Sequence, residues 1–423
     1  MILGLNLLKK IGSILFLIGI FILPSMFFFA SICLLFAGLI GSFTNQIGYF
    51  KDNWNKIFFI CGLLIIISTG THIFKLNNSY SDLLDANLSI AGIFNWLQFF
   101  WLFWAFQPYI DSKKKRRKTA LFLMAGTFPV LISGFGQYFL NWTGPLELLN
   151  GLIIWYQRPL ENDGLTGLFN NQNYAGTWFS LIWPFSIAFA IEKTNSFVKK
   201  SNAIFFLLTI GLAAILTNSR NAWVGIVISL PLVLNISSLY WLLPVLFLIS
   251  LGLAITSSEL FTGELQEKFR SIIPDKIWME FTQKVALTRL DIIVSSLKIS
   301  LIEPIFGLGG ASFPVIFELQ NNIWKGHPHN LFLELAISYG YPTTILLFFN
   351  ISLLLLKSSK FIFNSKSQKD PYSIFEKAWW ASIFIFLISQ SVDVQYFDGR
   401  ISIVFWLLLA GLKTIIDENV QQI

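Results

Sequence analysis

The chain has 423 residues, of which 55% are hydrophobic, 17% aromatic and only 13% charged, with a net charge of +7. An ordinary soluble domain carries about a quarter charged residues. Half that share excludes a soluble enzyme, a disordered chain and a disulfide scaffold.

A membrane helix needs about 20 mostly apolar residues. In chain order, twelve runs approach this: 8–24, 26–43, 57–75, 89–110, 119–140, 173–191, 203–217, 222–236, 239–256, 329–356, 378–395 and 400–416. The first two form one apolar stretch, too long for a signal peptide and with no A-x-A site at its end, so a retained anchor is predicted. Pro24 is the expected break. Cys33 and Cys61 sit inside apolar runs and read as packing residues. The basic run Lys113–Lys118 reads as a cytoplasmic stop signal. The runs 203–217 and 222–236 are short, so tilt or extension into the flanks is expected. The predicted division is 1–256 (spans one to nine), 257–328 (an external loop) and 329–423 (spans ten to twelve).

With the N-terminus in the cytoplasm, 19 of the 30 Lys and Arg residues fall on the cytoplasmic side. Seven of the others lie in the 257–328 loop, and long loops are largely exempt from the positive-inside rule. Within that loop Leu287, Leu290, Val294, Leu297 and Leu301 make an apolar stripe at helical spacing. Such a helix lies on the membrane or packs on the tops of other spans. Either position puts Arg289 near the membrane surface. The G-L-G-G run at 307–310 reads as a turn.

No phosphate-binding loop, nucleophile elbow, zinc motif or D-x-D pair is present, so neither metal nor cofactor is expected. The remaining polar set lies on the outer face. Arg220, in N-S-R-N at 218–221, has a planar fork suited to phosphate; it could equally snorkel to headgroups. Arg289 carries the same two readings. The segment G-H-P-H-N at 326–330 holds two of the three histidines, and histidine is the usual base near neutral pH. A plain helix start after Pro328 is the alternative. Two residues apart, His327 and His329 cannot point the same way along a regular helix. His72 ends an apolar span and reads as structural. In G-L-F-N-N-Q-N at 167–173, Asn170, Asn171 and Asn173 suit sugar hydroxyls or a helix cap. Glu334 lies one turn after Asn330 inside the tenth span, where a carboxylate is a functional candidate unless it pairs with an arginine. External arginines beside a base suggest metal-free transfer from a lipid-linked diphosphate.

The chain resembles the O-antigen ligase and O-antigen polymerase superfamily of bacterial envelope proteins. The likeness rests on SRNAWVG at 219–225, TRLDIIVSSLKISLIEPIFGLGGASF at 288–313, GLFNNQNYAG at 167–176 and HNLFLELAISYG at 329–340. The last fits the ligase pattern His-[Asn/Ser/Gln]-x9-Gly, from His329 and Asn330 to Gly340. Departures are Thr343 in place of a second glycine, Asn171-Gln172-Asn173 in place of Asn-Pro-Asn, and Gly164 in place of an arginine, with Arg158 its nearest substitute.

The resemblance implies an all-α membrane protein of about 12 spans with a GT-C-like fold and a periplasmic loop carrying a surface helix. It implies inverting, metal-independent transfer of a glycan from an undecaprenyl-diphosphate carrier. The acceptor would be a glycan, the lipid A core or a protein; nucleic acid is not an expected partner. The implied location is the bacterial inner membrane, with the site facing the periplasm. Arg220 and Arg289 would bind the diphosphate, and His329, which heads the pattern, would activate the acceptor hydroxyl. His327, Asn330, Asn170, Asn171, Asn173, Glu334 and Arg158 complete the expected substrate-binding set. Ligase and polymerase differ in the acceptor. A transporter would carry polar residues deep along several spans; here they gather on one face.

Overall fold

The computed structural model describes residues 2–74, 80, 83–160, 164–257, 263–272, 289–364 and 372–420. Leu287, where the expected stripe begins, lies outside them. The chain is helical almost throughout. The first helices are α1 (Ile2–Ile22), α2 (Phe27–Thr44), α3 (Asn53–Ile73), α4 (Ala86–Ile93), α5 (Leu97–Ala105), α6 (Lys113–Gly126) and α7 (Phe128–Leu140). A small hairpin follows, β1 (Leu146–Leu148) antiparallel to β2 (Ile153–Trp155), with Leu146 opposite Trp155. Then come α8 (Gln172–Ile191), α9 (Phe197–Leu216), α10 (Arg220–Leu234), α11 (Leu239–Ser257) and α12 (Glu264–Ile272). The described helices end with α13 (Arg289–Ser300), α14 (Ser312–Asn321), α15 (Leu331–Ile362), α16 (Ser373–Ser389) and α17 (Gly399–Val420).

Each of the twelve expected spans corresponds to a helix or a broken pair of helices. Among the described residues, ten are long and apolar enough to cross a membrane, counting α4–α5 and α6–α7 as one each. The other two, α10 and α16, have 15 and 17 residues. One boundary needs correction. The run 378–395 is not helical to its end: α16 stops at Ser389 and 390–398 is a folded connection.

Burial sorts the helices by role. The span Gly399–Val420 is 94% buried, whereas Leu5–Ile22 of α1 is 22% buried. A helix apolar on all sides is either core or lipid-facing, and these two are one of each. The central helix α17 presents Trp406 to Phe58, Phe100 and Phe103, with ring centroids 5.1, 5.2 and 6.5 Å away. On α1, Leu7, Ile14, Ile18 and Phe21 stay exposed, as lipid contact requires.

The connections at the end of the bundle away from the N-terminus are laced together. Trp155 donates to the Ser25 carbonyl at 2.7 Å, and the Leu165 amide to Leu216 at 2.8 Å. Ser89 Oγ donates to Gly310 at 3.3 Å, and the Leu331 amide to Gln390 at 2.8 Å. Apolar helices cannot satisfy loop backbone in lipid, so the loops satisfy one another.

Helix α15 is broken at Gly340, whose φ of +80° and ψ of 165° interrupt the ladder. The gap is filled by the segment 304–309. The Leu308 amide donates to Ile337 at 2.6 Å, Gly309 to Ser338 at 3.1 Å, and Tyr341 back to Pro304 at 2.8 Å. A side chain at Gly340 would collide with the Ile305 carbonyl. Thus the glycine of the His-Asn-x9-Gly pattern has a mechanical role: it lets the Gly-rich turn dock into a kinked helix. Gly309 in turn rests against the buried ring of His72, which fits the structural reading of that histidine.

Helix α13 carries the expected stripe on its outer side. Leu290, Val294, Leu297 and Leu301 are exposed, while Ile292, Ser296 and Ile299 are buried. Ile292 and Ile299 pack with Phe313, Ile316, Phe317 and Ile337. Among the described residues nothing covers the stripe, which faces outward.

Candidate functional site

The site is built around the start of α15. Asn330 caps the helix: its Oδ1 accepts from the Leu333 amide at 3.0 Å, and its Nδ2 donates to the Ser391 carbonyl at 3.0 Å. An Asn in this position satisfies an orphan helical donor. It also ties the helix to the 390–398 connection. His329 precedes the cap rather than lying in the helix, and its backbone is left-handed, with φ of +53°.

That backbone turn corrects the expectation that the two histidines diverge. No regular helix runs through 326–330, and both rings turn toward one acid. His329 Nδ1 lies 2.8 Å from Asp393 Oδ1, and His327 Nε2 lies 3.8 Å from the same oxygen. The ring centroids are 4.5 Å apart at 69°. The His329 amide donates to His327 Nδ1 at 3.2 Å.

Asp393 was hidden in the sequence because it falls inside the apparent span 378–395. An acid within an apolar run was the available signal. In the structure its connection is firmly held. Gln390 Oε1 accepts from the amides of Gln395 and Tyr396 at 3.0 and 3.1 Å, and Tyr396 Oη donates to the Asn95 carbonyl at 2.9 Å. Asp393 is 3% exposed. Burial alone would raise its carboxyl. The hydrogen bond to His329, the neighbouring imidazoles and the Val394 amide outweigh burial and hold it below the usual carboxylate range. His327 moves the other way. Burial pushes its ring down to about 4; Asp393 opposes this, and His329, Arg289 and Lys325 add to it. His327 is therefore neutral near pH 7.

A carboxylate can only accept, so the imidazole nitrogen 2.8 Å from it carries the proton. His329 Nε2 is then the lone-pair nitrogen and can take a proton. The same three side chains offer ligand atoms within 4.8 Å of one another, so they could also hold a metal ion.

Two cavities flank this cluster. One, of about 440 Å³, is lined by His327, Glu334, Trp96, Tyr339, Tyr174 and Phe397 among others. The second, of about 430 Å³, lies beneath the hairpin and is lined by Tyr156, Asn170, Tyr174, Phe397, Asp398 and Arg400 among others. Tyr174 and Phe397 belong to both. Arg400 is buried and held as a fork: Nε donates to Asp398 Oδ1 at 2.9 Å and Nη2 to Oδ2 at 2.5 Å. Its guanidinium carbon lies 3.9 Å from the Phe169 ring centroid. Sequence reading passed over Arg400 and Asp398, which belong to no motif, and over Tyr174, which stands inside GLFNNQNYAG beside the amides that drew attention.

The expected residues divide into groups. His327 and His329 converge, and Arg289, exposed at the first turn of α13, is near enough for its charge to act on His327. Glu334 is buried on the wall of the first cavity. Arg158 donates to Asn170 Oδ1 at 2.6 Å, so these two form one pair at the second cavity. Asn171 is a helix cap, accepting from the amides of Asn173 and Tyr174 at 2.9 and 3.1 Å. Asn173 contributes its backbone amide to that cap. Arg220 is exposed at the first turn of α10, whose cap residue Ser219 packs on Gly176 of α8. It stands on the same face of the bundle as the histidines.

A family model described as O-antigen ligase matches residues 204–348. The matched stretch contains Arg220, Arg289, both histidines, Asn330, Glu334 and Gly340, and it supports the O-antigen ligase and polymerase superfamily for this chain. Asp393, Arg158 and Asn170 lie outside it. No curated protein matches the chain.

Proposed function

We propose that this multi-pass bacterial membrane protein, with its O-antigen ligase domain, moves a glycan from an undecaprenyl-diphosphate carrier to an acceptor hydroxyl. The site would face the periplasm across the inner membrane, within a GT-C-like arrangement of helices. The observation that carries this reading is the 2.8 Å contact between His329 Nδ1 and the buried Asp393. It orients the ring and leaves Nε2 as the proton acceptor, as a general base requires.

In the proposed step the acceptor oxygen attacks the anomeric carbon of the donor sugar. The bond from that carbon to the diphosphate oxygen breaks, and the acceptor proton passes to His329 Nε2. One displacement inverts the anomeric centre. The leaving diphosphate takes up negative charge, which Arg220 and Arg289 would stabilise; guanidinium forks match phosphate oxygens. Cations supplied by side chains make the step metal-independent.

The test is incubation of the purified protein in nanodiscs with an undecaprenyl-diphosphate oligosaccharide and candidate acceptors, followed by mass analysis. A glycan-extended acceptor of inverted linkage, formed equally with EDTA, is the expected result. Extension of the glycan on its own carrier would make the protein a polymerase. Loss of activity with EDTA, restored by a divalent ion, would move the histidine–aspartate cluster from base to metal ligand. No transferred product with any acceptor would overturn the reading.

A further inference from the structure

The first cavity holds a polar group that the fold leaves unanswered. Glu334 is 8% exposed, and its Oε2 has no hydrogen-bond partner among the described residues. Its other oxygen accepts only from Ser338 Oγ, at 3.4 Å. The alternative reading of Glu334, a pair with an arginine, finds no support: none of its contacts among the described residues is a cation. A buried carboxyl oxygen without a donor is costly, and a site that keeps one is shaped for something that supplies an O–H or N–H.

The cavity limits what that can be. Its 440 Å³ falls within the range of small-ligand pockets, and Trp96 and Tyr339 supply aromatic wall. Gly92 and Gly310 line it too; a side chain at Gly92 would meet Tyr339 Oη at 2.8 Å. A lipid tail has no donor to offer the carboxyl. A diphosphate, fully ionised at neutral pH, likewise has no proton to offer the carboxyl. A sugar ring meets both demands, with hydroxyls for the carboxyl and C–H faces for the aromatic wall. Glu334 also sits one helical turn beyond Asn330, its amide bonded to the Asn330 carbonyl at 2.9 Å. It therefore lies about 6 Å along the axis from the cap that His329 precedes.

We propose that this cavity is the acceptor-sugar subsite, with Glu334 Oε2 accepting a hydroxyl next to the one that reacts. The acceptor part of this assignment rests on the transferase reading above. The diphosphate donor is then left to the arginine-bearing rim.

The test compares wild type, Glu334→Gln, Glu334→Leu and Leu88→Trp in nanodiscs. Leu88 is an exposed rim residue, so the tryptophan narrows the cavity without touching the core. The probe is tritium-labelled oligosaccharide released by mild acid from the surface polysaccharide of the source bacterium, added without donor. Binding should weaken about tenfold or more in Glu334→Leu and Leu88→Trp, and less in Glu334→Gln, which keeps an acceptor. Binding of undecaprenyl diphosphate should be unchanged in all three. Wild-type affinity in both Glu334→Leu and Leu88→Trp, or no saccharide binding by wild type, overturns the subsite. The two readings fail separately. Saccharide binding lost in the variants, with no transfer by wild type, keeps the sugar site and removes the transferase. Transfer by all variants with an unmoved acceptor KM keeps the transferase and removes the subsite.

Discussion

The two ends of the bundle differ in how completely their charged groups are matched. At the end that holds the N-terminus, opposite charges are matched. Arg116, 1% exposed, lies between Glu376 and Glu418, and Lys413 lies between Asp52 at 2.8 Å and Asp417 at 2.6 Å. Arg117 forks onto Glu192. At the far end Arg400 and Asp398 form one such pair, but two histidines share one aspartate, a carboxyl oxygen of Glu334 is unanswered among the described residues, and Arg220 and Arg289 reach the surface. Cavity size does not separate the ends. The N-terminal end has a cavity of about 380 Å³, lined by Lys9, Gln107, Asp111, Lys115, Asp417 and Glu418 among others. Chemistry separates them. Matched charges hold helices together, whereas incompletely matched groups around a cavity are poised for a ligand.

The sharpest way to probe this contrast is to remove one group from each end. His329→Ala should lower glycan transfer about 10²- to 10⁴-fold, the usual contribution of a general base, while folding and donor binding persist. His327→Ala should be milder, because His327 makes only the longer contact to Asp393. Transfer rates alongside donor binding check this; a dead His327→Ala beside a working His329→Ala would exchange their roles.

Arg116→Ala should do the reverse. Stranding Glu376 without its buried partner should cost about 3–5 kcal/mol of stability. Activity per folded molecule should stay near wild type. Denaturation midpoints and specific activity of the folded fraction read the two quantities apart. A stable but inactive Arg116→Ala would erase the distinction between the ends.

A smaller effect is expected at the rim. Arg220→Ala and Arg289→Ala should each reduce transfer about tenfold to a hundredfold, the worth of one charge-assisted contact. Lysine should rescue poorly, because a point charge cannot hold two oxygens as a fork does. Near-normal Arg220→Lys would mark that arginine as a membrane anchor. The measurement is donor-dependent rate at saturating acceptor.

A further effect is on the pH dependence of stability. His327 titrates near 4 in the fold and near its usual 6.5 when unfolded. Between these values the unfolded chain binds more protons, so stability falls as pH drops from about 6.5 to about 4. Asp393, held below its usual value, contributes stability that is lost at still lower pH. His327→Gln should flatten the slope of unfolding midpoint against pH in the upper window; an unchanged slope would place its origin elsewhere.

Much of this contrast was legible from residue order. The apolar runs located the helices, because backbone in lipid has few alternatives to a helix. The His-Asn-x9-Gly spacing located the start of α15; the kink at Gly340 came only with the structure. Two kinds of information were missing. Asp393 looked like part of a span because its neighbours are apolar; local hydrogen bonds to Gln390 and the long-range bond from Tyr396 to Asn95 fold 390–398 into a connection. The convergence of the histidines depends on a left-handed residue at 329, which hydrophobic periodicity does not encode. For Asn171 the sequence left a sugar ligand and a helix cap open; in the structure Asn171 and Asn330 both cap helices. Amides serve both purposes equally well, and spacing alone does not separate them.

The central claim is that Asp393 acts through His329. A double-mutant cycle on glycan transfer, using His329→Ala, Asp393→Asn and the pair, tests it most directly. Asp393→Asn alone should lower the rate about tenfold to a hundredfold, the worth of a hydrogen bond to a charged group. The double mutant should then be no slower than His329→Ala, because an orienting group has nothing left to orient. Losses that simply multiply would contradict the account and make Asp393 and His329 independent contributors.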